Sequence, residues 1–166
     1  MSNLLFEFEV DKASNSVFVN KEFAADLPLV WDAFTKQEML DQWWAPSPFT
    51  TKTKSMDFRE GGHWLYCMID PEGKQYWGRM DYTKVNASES YEALDAFCDE
   101  NGDINPQLPR APWDARFKDL GENTLVETVV TYNSLADLEA VINMGMQEGL
   151  TSALDNLDAL LARVKK

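Results

Sequence analysis

SLADLEAVINMGMQEGLTSALDNLDALLARVKK, residues 134–166, is the stretch that decides the fold. Its apolar positions Leu135, Leu138, Ile142, Met146, Leu150, Ala153, Leu154, Leu157, Leu161 and Val164 recur every three or four residues. That period predicts one amphipathic helix of about eight turns, at roughly 3.6 residues per turn. Ser134 stands where an N-cap is needed, and Asp137 completes an approximate capping box. Asp155 and Asp158 are expected to point away from the stripe. Arg163, Lys165 and Lys166 fall at the end where the helix dipole favours cations. A helix with one apolar stripe must bury it against a second layer.

The preceding residues supply that layer. Ser16 to Ala24 alternates, with Val17, Val19, Lys21 and Phe23 sharing the more apolar face. Asp26 offers an N-cap and Pro28 suits a first helical turn, so a short helix is predicted over Pro28–Phe34. Thr35 is read as the cap of a second helix, Lys36 to Trp44, which Pro46 and Pro48 end. Six strands follow: Phe49–Arg59, His63–Asp70, Gln75–Asn86, Ser90–Cys98, Trp113–Leu120 and Thr124–Tyr132. Turn signals such as Glu60-Gly61-Gly62 and Pro71-Glu72-Gly73-Lys74 separate them, and a loop with Pro106, Pro109 and Pro112 precedes the fifth. Short, regular spacing of this kind indicates an antiparallel meander. The economical α+β arrangement is a curved antiparallel sheet in β-α-α-β6-α order, wrapped around the C-terminal helix, with room for a gap between the two. Residues 1–15 read as an N-terminal extension. Leu4, Leu5, Phe6, Phe8 and Val10 would add an edge strand or pack on the surface, and residues 16–164 form one domain.

Composition narrows the partners. The chain has 166 residues, 45% of them hydrophobic, and a formal net charge of −13. An acidic surface repels phosphate backbones and anionic membranes, which argues against nucleic acid. No apolar run approaches the roughly 20 residues that span a bilayer, so membrane insertion is not expected. The start MSNLLFEFEV lacks the basic region of a secretory signal, and a cytoplasmic setting with reduced thiols is expected. Cys67 and Cys98 have no metal-ligand neighbour at short spacing. They could approach across strands, but inert thiols are the expectation. No cofactor or metal is implied.

Several phrases carry a resemblance. Val30-Trp31-Asp32-Ala33-Phe34-Thr35, Trp43-Trp44-Ala45-Pro46, Asp57-Phe58-Arg59-Glu60-Gly61-Gly62 and Asp70-Pro71-Glu72-Gly73 occur in order, followed by Phe97-Cys98-Asp99-Glu100-Asn101-Gly102 and Gly145-Met146-Gln147-Glu148-Gly149-Leu150. Together they resemble the START-like (helix-grip, SRPBCC) superfamily, in its branch named for activators of heat shock protein 90 ATPase, over about Ser16 to Leu161. The resemblance implies the helix-grip fold. It also implies binding of lipids or other hydrophobic molecules under the long helix, or a co-chaperone role in stress response, or, in a few members, cyclase-like chemistry.

Strand parity puts Trp64, Tyr66 and Met68 on one face of their strand, and the resemblance implies that this face points inward; Met56 and Phe58, Met80, Phe97 and Phe117 join them as candidate ligand-binding residues. Met146 and Leu150 would close the cavity from the helix; Trp43 and Trp44 are read first as packing the second short helix over the sheet mouth, and otherwise as a gate with Trp44 meeting ligand. Polarisable Met and flat aromatic side chains suit an adaptable apolar pocket; for any single one of these residues, filling the core is the default reading. His63, the one histidine, has no evident catalytic partners and is expected to face outward. Glu127 either faces solvent or enters the cavity beside Arg79 or Arg116. Asp57 and Arg59 are expected to form a surface pair. The primary expectation is a carrier or sensor of a small apolar molecule, with no catalytic residues assigned. The alternatives are a protein-binding, co-chaperone-like module and a cyclase- or hydrolase-like enzyme using Glu127, Tyr66 and Arg79. Either a monomer or a homodimer is compatible with the sequence.

Overall fold

Alternating strands and two capped helices are realised close to where the residue pattern puts them, in a computed structural model that describes residues 4–164. Lys165 and Lys166 lie outside the described residues. β1 (Phe6–Asp11) and β2 (Ser16–Phe23) form an N-terminal hairpin. Helices α1 (Leu27–Thr35) and α2 (Gln37–Trp43) follow, then strands β3 (Thr50–Asp57), β4 (His63–Ile69), β5 (Gln75–Asn86) and β6 (Ser90–Phe97). Strands β7 (Pro112–Asp119) and β8 (Thr124–Thr131) complete the sheet, and helices α3 (Leu135–Asn143) and α4 (Met146–Val164) end the chain. The eight strands form one antiparallel sheet in the order β1-β2-β8-β7-β6-β5-β4-β3. The first hydrophobic cluster of the chain is thus an edge strand, paired from Phe6 opposite Lys21 to Asp11 opposite Ser16.

Three local expectations are corrected. The C-terminal stripe is not one helix. It breaks at Met144–Gly145, where Gly145 adopts φ +94°, a left-handed conformation that costs a side-chain-bearing residue energy. The Gly145 amide donates to the Ile142 carbonyl at 3.0 Å and closes the end of α3, and a new helix starts at once. The apolar phase carries across the break, so periodicity alone reads through it. Thr35 does not cap α2; its hydroxyl donates back to the Trp31 carbonyl at 2.7 Å within α1. Asp158 does not point away: it meets Lys21 Nζ at 3.0 Å, which gives the inward-facing Lys21 of β2 its counter-charge. Ser134 does cap α3, accepting from the Asp137 amide at 3.1 Å.

The concave face of the sheet holds the core. From β2 come Val17, Val19 and Phe23, from β8 Val126 and Val130, and from α4 Leu154, Leu157, Leu160 and Leu161, all buried. Each such side chain contributes about 1.5–3 kcal/mol relative to exposure. The ends of the stripe do not share in this, since Leu135 and Val164 are exposed. At one end of the concave face α1 packs Trp31 and Phe34 against Phe117, with centroids 4.9 and 5.3 Å apart. Phe58, Tyr82 and Tyr91 extend the same edge-to-face cluster. The aromatic rings fill that end. On the outer face, the loop after β6 folds back over β4 and β5, where the Gly102 carbonyl accepts from Arg79 Nη1 at 2.8 Å. Leu65 and Cys67 are buried although they face away from the core.

The two glycines flanking the start of α4 predict opposite outcomes. Gly145→Ala is expected to cost about 1–2 kcal/mol through its positive φ. Gly149→Ala, whose added Cβ would meet only Pro46 Cγ at 3.8 Å, is expected to stabilise by about 0.5–1 kcal/mol. Urea unfolding midpoints, with unchanged slopes, check both.

Candidate functional site

The helix break decides where the concave face stays open. The corner between α3 and α4 stands over the end of the sheet opposite to α1, and a cavity of about 290 Å3 lies beneath it. Val141, Met144, Met146 and Leu150 wall it from the helical side. Met68 of β4, Asp95 and Phe97 of β6, Trp113 of β7 and Tyr132 wall it from the sheet. Trp44, Pro46 and Pro109 close its flanks. Gly149 adds space, because it presents no side chain where the cavity meets α4.

The flank formed by residues 44–47 is tied to α4. Asn156 Nδ2 donates to the Ala45 carbonyl at 2.9 Å, the Ser47 amide donates to Ser152 Oγ at 3.0 Å, and Ser47 Oγ donates to Asn156 Oδ1 at 3.0 Å. Trp44 therefore sits as a fixed partition. Its ring contacts Trp43, Trp64 and Tyr66 on the packed side at 5.4, 5.4 and 6.3 Å, and Trp113 across the cavity at 6.1 Å. Trp44 Nε1 is buried without a hydrogen-bond partner. The Tyr66 hydroxyl is close enough to feel this N–H, but outside hydrogen-bond geometry.

Asp95 is the polar centre. One carboxylate oxygen accepts from the Ala111 amide and the other from Trp113 Nε1, both at 2.7 Å. Burial pushes the Asp95 carboxyl above its ordinary value, while those two N–H groups and the charge of Arg110 pull it back. Arg110 does not bond the carboxylate. Its Nε donates to the Asp95 backbone carbonyl at 2.9 Å, and its Nη2 pairs with Asp81, which Arg79 also holds at 2.6 Å. Burial, helped by the Asp95 charge, raises the phenols of Tyr66 and Tyr132 as well. The Tyr132 hydroxyl donates to Met146 Sδ at 3.7 Å. A smaller cavity of about 130 Å3, walled by Tyr66, Tyr76, Trp77 and Gly78, shares Met68, Asp95 and Phe97 with the main one. Gly78 is required there, since a Cβ at that position would stand 2.8 Å from the Tyr66 hydroxyl oxygen.

Of the residues singled out from the sequence, Trp44, Met68, Phe97, Met146 and Leu150 meet around this cavity. Tyr66 lies on the smaller one. Trp64 and Met80 are buried in the packed core, and Met56 packs against it. Trp64 stacks on Tyr66 at 4.1 Å and donates to Thr53 Oγ1 at 2.9 Å. Phe58 and Phe117 belong to the aromatic cluster under α1. Glu127 faces the outer side and meets Lys118 at 3.0 Å, and Arg79 holds Asp81 there, so neither is a cavity group. His63 Nε2 lies 2.8 Å from Ser55 Oγ, and Arg59 pairs with Asp57 at 2.7 Å. Both thiols are free, and burial pushes Cys67 up and Cys98 up to about 11. Among the described residues no group of three or more His, Cys, Asp or Glu could hold a metal ion, and no helix is long and apolar enough to cross a membrane. Sequence reasoning missed Asp95, Trp113 and Tyr132. For Asp95 the signal was present: it shares inward parity with Tyr91, Ala93 and Phe97, where a lone acid is out of place.

A family model described as Activator of Hsp90 ATPase homolog 1-like protein matches residues 24–162. Protein Ms6760 of Mycobacterium smegmatis is similar at 30% identity and a TM-score of 0.87, covering 95% of this chain and 96% of that one. A protein from Arthrobacter aurescens is similar at 27% identity and a TM-score of 0.89, covering 95% and 91%. The AHSA1 protein of Silicibacter pomeroyi shares the fold, at 21% identity and a TM-score of 0.68, covering 89% and 97%. No curated protein matches.

The elevated carboxyl predicts a pH signature. A raised folded-state value means that the folded protein holds the Asp95 proton more tightly than the unfolded chain does. Its contribution to stability is then full below the ordinary value of 3.8 and is lost as pH rises through the elevated one. Asp95→Asn should remove this decline. The unfolding free energy of the wild type minus that of the variant, from urea titrations at stepped pH, is expected to fall over that window.

Proposed function

The chain belongs to the Activator of Hsp90 ATPase homolog 1-like family of START-like proteins, and from that premise we propose that it binds a small, mostly apolar molecule in the cavity beneath the α3–α4 corner, as a carrier or sensor. The observation that carries this reading is the unfilled end of the concave face. The fold packs the end under α1 with rings to van der Waals contact, yet leaves about 290 Å3 beside Trp44 and Trp113. That volume, about 290 Å3, lies just under the roughly 300–1,000 Å3 typical of ligand sites, which suits a small ligand. An apolar wall with few polar groups, here Asp95 above all, is the usual composition of such a site. Met68, Met144 and Met146 supply adaptable contacts.

The family fold is also compatible with a protein partner. Concavity favours the small molecule, because a protein partner is expected to bury a broad face of about 800 Å2 per side. The cyclase- or hydrolase-like expectation loses Glu127 and Arg79, which lie on the outer side of the sheet.

Binding is tested with N-phenyl-1-naphthylamine, a neutral fluorophore that brightens in apolar surroundings. The wild type is expected to enhance its emission saturably at one site. Gly149→Phe would fill the cavity from α4 and is expected to weaken the probe by at least about tenfold, roughly 1.4 kcal/mol. Retained folding is checked by far-UV circular dichroism. Equal affinities for the two proteins would place the probe elsewhere and defeat the reading.

A further inference from the structure

Asp95 is the one charged side chain among the described residues that line the 290 Å3 cavity, and its position is built rather than incidental. Both its oxygens already accept N–H donors at 2.7 Å, from Ala111 and Trp113, within the range of charge-assisted bonds. A carboxylate offers about four acceptor positions, and these two donors use one on each oxygen. The flanking cation gives no direct bond to them, since Arg110 spends Nη2 on Asp81 and Nε on the Asp95 backbone carbonyl. The side chain therefore reaches the cavity with acceptor capacity left and no donor from the protein to fill it. Trp44, Trp113, Tyr132 and Phe97 surround the same space, and the negative face of an aromatic ring attracts cations. The chain as a whole carries −13, so its field also draws cations inward.

We propose that the cavity selects ligands bearing a protonated amine on an apolar body, with Asp95 as the counter-ion and hydrogen-bond acceptor, and with Trp44, Trp113 and Tyr132 as the aromatic wall around the ammonium. The apolar body rests on Met68, Met146 and Leu150. A carboxylate-bearing ligand of the same shape is disfavoured, because among the described residues no Lys, Arg or His lines the cavity, and Lys21, in an adjoining space of about 30 Å3 that shares Trp44 and Trp113, is held by Asp158. This inference rests on the reading of the cavity as a ligand site, and deepens it by naming the chemistry of the ligand.

The test is a matched series in isothermal titration calorimetry near neutral pH: 1-naphthylmethylamine, 1-naphthalenemethanol and 1-naphthaleneacetate. The expected result is affinity in the order amine, alcohol, acid, with the amine ahead of the alcohol by about tenfold or more, as a charge-assisted bond provides. In Asp95→Asn the amine and alcohol should come within about threefold of each other, with folding checked by thermal melting. An alcohol that binds the wild type as tightly as the amine overturns the selection for cations and leaves the apolar-cavity reading standing. Failure of all three probes to bind the wild type overturns both. If Asp95→Asn does not fold, the wild type is titrated with the amine and the alcohol at stepped pH from neutral down to about 4. The amine, protonated throughout, should lose its lead as Asp95 takes up a proton while the alcohol keeps its affinity, and a lead that does not change with pH overturns the role given to Asp95.

Discussion

The apolar stripe of α4 can be hidden only on the concave face of the sheet, and the rest of the molecule is arranged around that burial. Leu154, Leu157, Leu160 and Leu161 meet strand residues such as Val17 and Val130. With about 1.5–3 kcal/mol from each such side chain, this contact outweighs any single cap or ion pair. Where α4 continues as an uninterrupted helix, the core closes around it. Where the chain turns at Gly145, the roof lifts and the packing ends.

The interior is consequently asymmetric. Rings from α1 and from strands β5 to β7 interlock edge-to-face at one end. At the other, Gly149 and Gly145 provide no side chains to meet the sheet, and methionines stand in the wall. Trp44 separates the two regimes, touching Trp64 on one side and Trp113 on the other. Its hydrogen-bonded neighbours hold it in place: Asn156 and Ser152 of α4 bind the segment that follows it. A cavity survives here because its walls are fixed by bonds that do not depend on its being filled.

Electrostatics follow the same division. Lys21 also faces inward, yet Asp158 answers it from α4 and its amine touches the Phe23 ring. Breaking such a part-buried pair leaves a charge uncompensated, which accounts for an aspartate on a helix position that solvent could have claimed. Asp95 differs. Its partners are N–H dipoles and a distant guanidinium rather than a bonded cation, so its charge is tolerated instead of neutralised. A site that keeps a carboxylate in this condition is prepared to interact with something it does not itself contain.

The sequence by itself determined the order of elements, the parity of the strands and the stripe of the closing helices, because these depend on spacings of two and of three to four residues that any reader can count. It also carried the family, through phrases from Val30 to Leu150. It singled out Trp44, Met68, Phe97, Met146 and Leu150 as candidates, and the structure brings those five around one cavity. Parity could not separate them from Met80, Trp64 or Phe117, which face inward just as surely but are buried in the packed core. That distinction depends on where α1 and the α3–α4 corner cross the sheet, a matter of tertiary geometry. The same holds for Asp95, whose meaning comes from Ala111 and Trp113, sixteen and eighteen residues along the chain. Local pattern sets which face a side chain takes. Only the packed fold decides whether that face meets another side chain or an empty space.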